Sequence, residues 1–205
     1  FRRYQYSMFS AGFGNMLIEA PLVYLVTREL QASYTMSIML TMVVPFAVSL
    51  VALPLWALYL DRVHVAQFRA RQSILWVLAQ LLTLVGAYMG SLAWLMAGRF
   101  IMGIARGGGT LAWQLGHNDF ANPDQLSAYM GIHVTLTGVR GAIAPFLGMA
   151  LYIGVPTISW AGIGSAVFLI AALISACAGV GFYRLFITLK KADLIDVRAR
   201  TPDQT

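Results

Sequence analysis

The sequence contains very few charged residues. Asp, Glu, Lys and Arg make up 11% of its 205 residues, whereas a soluble domain carries about 25%. So little charge cannot cover a water-soluble surface, and 59% of the residues are hydrophobic. The lipid bilayer is therefore the expected solvent for most of the chain. Because the basic residues concentrate at the ends of apolar runs, the net charge of +6 indicates membrane orientation and not binding to nucleic acid.

Cysteine and catalytic motifs are also scarce. The single cysteine, Cys177, excludes an intramolecular disulfide and a cysteine-based metal site, and its apolar surroundings indicate a small packing residue. No HExxH, GxSxG or P-loop motif is present. His117, Asn118 and Asp119 form a short polar segment, for which helix capping is favoured over metal binding. We therefore predict no enzyme activity, metal or cofactor.

Six stretches are long and apolar enough to cross a membrane as helices of about 20 residues. The pattern predicts helices over Tyr4–Val26, Thr35–Leu60, Gln72–Tyr88, Leu92–Gln114, Leu126–Tyr152 and Thr157–Leu189. Strands are disfavoured because the period-two alternation of a membrane barrel is absent. Prolines at 45, 54 and 145 predict kinks within helices, with gating hinges as the alternative. We expect an all-α, polytopic membrane bundle over 1–189 and a polar cytoplasmic tail over 190–205.

Basic residues are distributed unevenly between the two ends of these helices. One end is associated with Arg2, Arg3, Arg62, Arg69, Arg71, Arg184, Lys190, Lys191, Arg198 and Arg200. The other end has Arg28 alone. Because positively charged loops stay in the cytoplasm, both termini of this segment are predicted to be cytoplasmic. An even number of spans agrees with that orientation.

Several polar residues fall within the predicted spans, where they are costly and usually face a protein interior or a cavity. They are Asn15, Glu19, Arg99, Arg106, His133 and Arg140. Three arginines against one glutamate leave an excess of two positive charges, because arginine stays ionised inside proteins. An ion pair of Glu19 with Arg140 or Arg99 would neutralise part of this charge. The remainder predicts an anionic ligand, with arginines bonded to helix ends and kinked carbonyls as the alternative.

Two of these residues are candidates for proton transfer. Glu19 is a carboxyl group in an apolar environment, where desolvation favours the protonated form, and the alternative is a static ion pair. His133 titrates near neutrality when unperturbed, and the alternative is a hydrogen-bonded structural histidine.

The fourth predicted helix combines charge with small residues. Arg99, Gly103 and Arg106 fall on one stripe at 3.6 residues per turn. Gly103 and Gly107 form a GxxxG spacing, which lets another helix backbone approach closely. Close packing against a neighbouring helix is therefore predicted at this point.

Three segments resemble motifs of the major facilitator superfamily. The segment Ala57–Arg71 resembles the family's Gly-x-x-x-Asp-Arg-x-Gly-Arg loop between the second and third helices, with Ala57 replacing the first glycine and the later glycine–arginine part missing. Arg99–Gly103 is similar to the Arg-x-x-x-Gly motif of the fourth helix. Gly141–Gly148 resembles the glycine–proline motif of the fifth helix, with Ala144 at a usual glycine position.

The resemblance implies one half of a secondary carrier that works by alternating access. Such a half has two inverted three-helix repeats, here about 1–90 and 91–189. It implies that Asn15, Glu19, Arg99 and Arg106 line a central cavity, that His133 and Arg140 face it or its edge, and that Asp61 and Arg62 act at the cytoplasmic gate. The missing initial Met and the altered loop favour the C-terminal half.

The implied partners are the lipid bilayer, a small solute and the other six-helix half, and the implied location is the cell inner membrane. The expected function is transport of a small solute, with organic or inorganic anions as candidates. Two alternatives stay open because fold does not decide function: a non-transporting membrane scaffold or assembly factor, and an ion channel.

Overall fold

The computed structural model describes residues 1–194 as a bundle of six long helices. They are α1 (Arg2–Glu29), α2 (Tyr34–Leu60), α3 (Val65–Met89), α4 (Leu92–Leu115), α5 (Leu126–Ile153) and α6 (Ala166–Lys191). Five of them are long and apolar enough to span a membrane. The exception is α4, which is as long but contains Arg99, Arg106 and several glycines. The predicted all-α membrane fold is confirmed, whereas most of the predicted tail, including Arg198 and Arg200, lies outside the described residues.

The helices pack in an order that differs from their order along the chain. Helix α3 packs on α4 and α6, α4 packs also on α2, and α1 packs on α5 and α6. Helices α2 and α5 therefore lie at the two edges of the bundle. In the apolar stretches of α2 and α5, 17% of the residues are buried, against 39–44% in α1, α3 and α6. The two edge helices consequently present broad apolar surfaces outward.

The glycines of α4 permit the close packing that their spacing predicts. A Cβ atom at Gly103 would lie 2.9 Å from the Pro45 carbonyl oxygen, and one at Gly107 would lie 2.8 Å from the Ser49 carbonyl oxygen. Both are closer than a real Cβ atom can approach. The GxxxG segment therefore packs its backbone directly against α2.

Two helices contain irregular turns near the middle of the bundle. Helix α1 is interrupted at Ile18, and α2 contains a π-helical turn over Met39–Val43. Pro45 follows that turn and has no N–H group to donate to the carbonyls one turn earlier, those of Leu40 and Thr41. The irregular segment of α2 therefore leaves a carbonyl available to another helix.

The third helix begins at Val65, seven residues before the predicted start at Gln72. Two side chains accept hydrogen bonds from its first N–H groups: Asp119 Oδ2 from Val65 N at 2.8 Å, and His64 Nδ1 from Ala66 N at 3.1 Å. These caps let the helix start earlier than hydropathy predicts. The prediction that Arg69 belongs to a loop was wrong, since this residue is buried within α3.

The last helix begins at Ala166, nine residues after the predicted start at Thr157. The preceding loop contains Ser159, Gly162 and Gly164 with φ angles of 53°, 40° and 54°. A left-handed backbone cannot continue a right-handed α-helix. The loop is apolar, which is why hydropathy placed the start of the helix too early. The other helix ends agree with prediction within a few residues. Cys177, predicted to be a packing residue, is instead exposed on α6.

Candidate functional site

Glu19 and Arg99 form an ion pair between α1 and α4. Arg99 Nη1 and Nη2 donate to the two Glu19 carboxylate oxygens at 3.2 and 3.3 Å. The Arg99 side chain is 2% exposed and that of Glu19 is 40% exposed. The pair thus joins a buried cation to a carboxylate that solvent or a solute can reach. Of the two pairings expected for Glu19, the structure contains the one with Arg99.

Arg99 also bonds to the irregular segment of α2. Its Nη2 donates to the Thr41 carbonyl at 2.9 Å, and its Nε donates to the Leu40 carbonyl at 3.1 Å. Both carbonyls lie one turn before Pro45, which has no N–H group to donate to either of them. Arginine therefore replaces the missing backbone bond, which is the structural role weighed as the alternative to ligand binding. With Glu19 and two carbonyls as acceptors, Arg99 is well satisfied.

Arg106 lies two turns after Arg99 on the same face of α4 and is only half-buried. Its guanidinium carbon lies 4.0 Å from the centroid of the Phe46 ring on α2. Within residues 1–194 this guanidinium donates no hydrogen bond and forms no ion pair. The nearby charges that act on it are those of Glu19 and Arg99. Arg106 is therefore a partly exposed cation with free donors.

Asn15 takes part in a contact between α1 and α3. Its Oδ1 accepts a hydrogen bond from Gln80 Nε2 at 2.9 Å. Asn15 lies one turn before Glu19, although the interruption at Ile18 separates them. Because this oxygen already accepts a hydrogen bond from α3, Asn15 holds α1 against α3 close to Glu19.

His133 and Arg140 contact the first half of α1, apart from the Glu19–Arg99 pair. His133 Nδ1 lies 2.9 Å from Gln5 Oε1. Arg140 Nη1 donates to the Met8 carbonyl at 2.7 Å. The guanidinium occupies space beside Gly12, where any Cβ atom would collide with it. Both side chains are deeply buried, at 2% and 6% exposure.

Arg69 is a buried cation in α3, although hydropathy predicted that it lies in the loop between the second and third helices. It is 4% exposed, its Nη1 donates to Gln72 Oε1, and its guanidinium carbon lies 5.0 Å from the centroid of the Phe182 ring. The buried polar residues of α3, at 69, 72, 73, 80 and 83, follow a helical spacing. That stripe was a readable signal that the helix extends back to Arg69.

The two predicted gate residues, Asp61 and Arg62, are exposed directly after the end of α2. Neither forms an ion pair inside the described region. Asp119, for which capping was favoured, does cap a helix. The helix is α3 and not α4 or α5, because Asp119 reaches across to Val65 N. This bond joins the two loops at the end of the bundle where Asp61 lies.

Comparison with known proteins gives one positive result. A family model described as Major Facilitator Superfamily matches residues 6–202, which is most of the chain. No curated protein and no solved structure matches it.

Proposed function

Because the chain belongs to the major facilitator superfamily of membrane transporters, we propose that it carries a small anionic solute by alternating access. Membership in this family supports membrane transport by a carrier and, in general terms, a role other than that of an enzyme. The anionic character of the solute is inferred from the charges around Glu19, Arg99 and Arg106.

The observation behind this proposal is the unpaired guanidinium of Arg106. Glu19 already balances the charge of Arg99, and Arg99 is further bonded to carbonyls of α2. Among residues 1–194, Arg106 has only the Phe46 ring as a close partner. A guanidinium that rests on an aromatic ring keeps its in-plane N–H groups available for a carboxylate or phosphate. Arg106 therefore offers a bidentate contact to an anion.

We propose that the Glu19 carboxylate responds to the charge of the bound anion and thereby couples anion transport to movement of a proton. Its carboxylate keeps 40% exposure, so water can reach it, and it interacts electrostatically with Arg106. An anion at Arg106 would repel the ionised carboxylate and favour its protonation. This arrangement would link solute binding to uptake of a proton.

The packing of the helices supports an assembly of two three-helix repeats, about 1–90 and 91–189. The first helix of each repeat packs on the second and third helices of the other: α1 on α5 and α6, and α4 on α2 and α3. The exposed apolar surfaces of α2 and α5 support a second six-helix half docked there.

This segment is proposed to be the C-terminal half, with both termini cytoplasmic. Labelling of cysteines placed at Arg2 and Gly90 would test the orientation.

The proposal is tested by uptake into proteoliposomes made with the full polypeptide that contains this sequence. Labelled inorganic phosphate, a dicarboxylate and a neutral sugar serve as solutes, with and without a proton gradient. We expect saturable uptake of an anion, reduced at least about tenfold by Arg106→Gln and partly retained by Arg106→Lys, because one charge-assisted contact is worth about 1.5–3 kcal/mol. Glu19→Gln should abolish the effect of the proton gradient.

A matched control is Arg184→Gln, which removes an exposed arginine from α6 and should leave uptake unchanged. Uptake of the neutral sugar alone, or wild-type kinetics in Arg106→Gln, would refute anion binding at Arg106. If the folded protein showed no saturable uptake of any of these solutes but still bound another membrane protein, the scaffold alternative would be supported.

A further inference from the structure

An apolar groove of about 510 Å³ runs between α3 and α6 on the outside of the bundle. Four of the residues that line it are small: Ala70, Ser73, Ala176 and Gly179. The two helices meet closely at Gly179, where a Cβ atom would lie 2.9 Å from the Ser73 Cβ. Larger apolar side chains flank this contact, among them Ile74, Leu78, Val180 and Tyr183.

The chemistry of the groove suits an apolar occupant. Ile74 and Val180 are 67% and 50% exposed, although they line a concave surface. The Ser73 hydroxyl donates to the Arg69 carbonyl at 2.7 Å, so it is satisfied within its own helix. The second six-helix half is proposed to dock on α2 and α5, which leaves the groove between α3 and α6 open to the lipid. An acyl chain is the apolar molecule that meets such a surface.

The length of the groove matches one leaflet of a bilayer. On α3 it extends from Ala70 to Leu81, which is about 16 Å at 1.5 Å per residue. The hydrocarbon core of a membrane is about 30 Å thick, so one leaflet contributes about 15 Å. The groove also lies in the first half of α3, which begins at Val65. One acyl chain from the leaflet at that end of the bundle would therefore fill it.

Positive charges follow the groove at the same end of the bundle. Lys190 lies seven residues after Tyr183, which places it two turns farther along the same face of α6. Lys190 and Lys191 are exposed, and neither takes part in the ion pairs found among residues 1–194. Arg184 adds a third exposed cation to this end of α6, and Asp193 is the one carboxylate between 184 and 194. Basic residues at this level attract the phosphate groups of anionic lipids.

We propose that the groove between α3 and α6 binds one acyl chain of an anionic phospholipid, whose phosphate group contacts Lys190 and Lys191. The groove accommodates the chain, and the lysines select the headgroup. Tyr183 lies between these two parts, where a ring with a polar tip suits the boundary of the membrane. This site is separate from the solute contact at Arg106, and a scaffold that does not transport would bind the lipid equally.

The test is photolabelling of the full polypeptide in phosphatidylcholine vesicles that contain a trace of phosphatidylglycerol with a diazirine on its acyl chain. A phosphatidylcholine with the same diazirine chain is the comparison. Each basic residue at the membrane surface favours an anionic lipid by about fivefold, so two lysines should give a preference of about 25-fold. Peptide mass spectrometry should place the label within 70–81 and 176–183.

Matched variants separate the contribution of the headgroup from that of the chain. Lys190→Gln should lower the preference about fivefold, whereas Lys190→Arg should keep it. Arg28→Gln removes an exposed arginine at the opposite end of the bundle and should have no effect. Ala176→Phe fills the groove and should reduce labelling by both lipids. Cys177→Phe places the same ring on the exposed neighbouring residue and should not.

Three results would overturn the proposal. Equal labelling of the wild type by the two lipids would show that the lysines select no headgroup. Label outside 70–81 and 176–183 would show that the chain binds elsewhere. Cross-links between two copies of the polypeptide through the groove, in place of lipid labelling, would show that a second copy covers it. These measurements on the wild type decide the question even if a variant fails to fold.

Discussion

Replacing Arg99 by methionine should destabilise the bundle through its contacts with α2 more than through its ion pair. Methionine has a similar length but no donor group. The variant leaves the carbonyls of Leu40 and Thr41 without their present donors, at the irregular turn of a helix within the membrane. Glu19 loses its partner too, but 40% exposure lets water solvate the carboxylate. In this variant the loss of the two carbonyl contacts should therefore cost more free energy than the loss of the contact with Glu19.

The magnitude follows from the number of bonds that are lost. An interhelical hydrogen bond in a membrane protein is worth about 0.6 kcal/mol on average and up to about 1.7. Arg99→Met removes four such bonds, so we expect a loss of about 3 kcal/mol in the free energy of unfolding. Glu19→Gln keeps both carbonyl contacts but leaves the buried charge of Arg99 without its carboxylate, so we expect a cost of about 3–5 kcal/mol. Unfolding by SDS in mixed micelles measures both values.

A double-mutant cycle with Pro45→Ala tests the reasoning directly. Alanine restores an N–H group that can donate to the carbonyl of Leu40 or Thr41, one turn earlier. In wild type it would compete with Arg99, whereas in Arg99→Met it would satisfy an orphaned carbonyl. We expect Pro45→Ala to be more favourable in the Arg99→Met background by about 1 kcal/mol. General effects of removing proline cancel in the cycle. Equal effects in both backgrounds, within about 0.5 kcal/mol, would refute the link between Pro45 and Arg99.

Two further predictions concern packing and capping. Gly103→Ala should cost about 1–3 kcal/mol in unfolding free energy, because its Cβ would lie 2.9 Å from the Pro45 carbonyl oxygen. Gly138→Ala is the matched control, since no atom lies within 4 Å of its Cβ position, and an equal cost would contradict this packing. Asp119→Ala should destabilise the start of α3 by about 1 kcal/mol through loss of the bond to Val65 N, seen as faster amide exchange there. Asp124→Ala, in the same connection between α4 and α5, should leave that exchange unchanged.

Much of the site could be anticipated from residue type and spacing. The intramembrane residues Glu19, Arg99 and Arg106 were recognised because charge is rare in an apolar helix. The structure pairs the first two and places Arg106 two turns after Arg99 on the same face of α4. Arg69 was missed because hydropathy alone placed it in a loop. Its burial depends on Phe182, which is remote from it in the chain, and on the cap that Asp119 provides from another loop.

Hydropathy, charge distribution and the GxxxG spacing by themselves determined that this chain is a helical membrane bundle and where most of its helices end. These properties are local, because a helix satisfies its own backbone and meets lipid through its own side chains. Only the tertiary structure decided which arginine pairs with Glu19, which one replaces the donor that Pro45 lacks, and which two are buried without a carboxylate from residues 1–194. Those outcomes depend on distances between helices that are remote in sequence, and a buried charge takes its role from the groups that surround it.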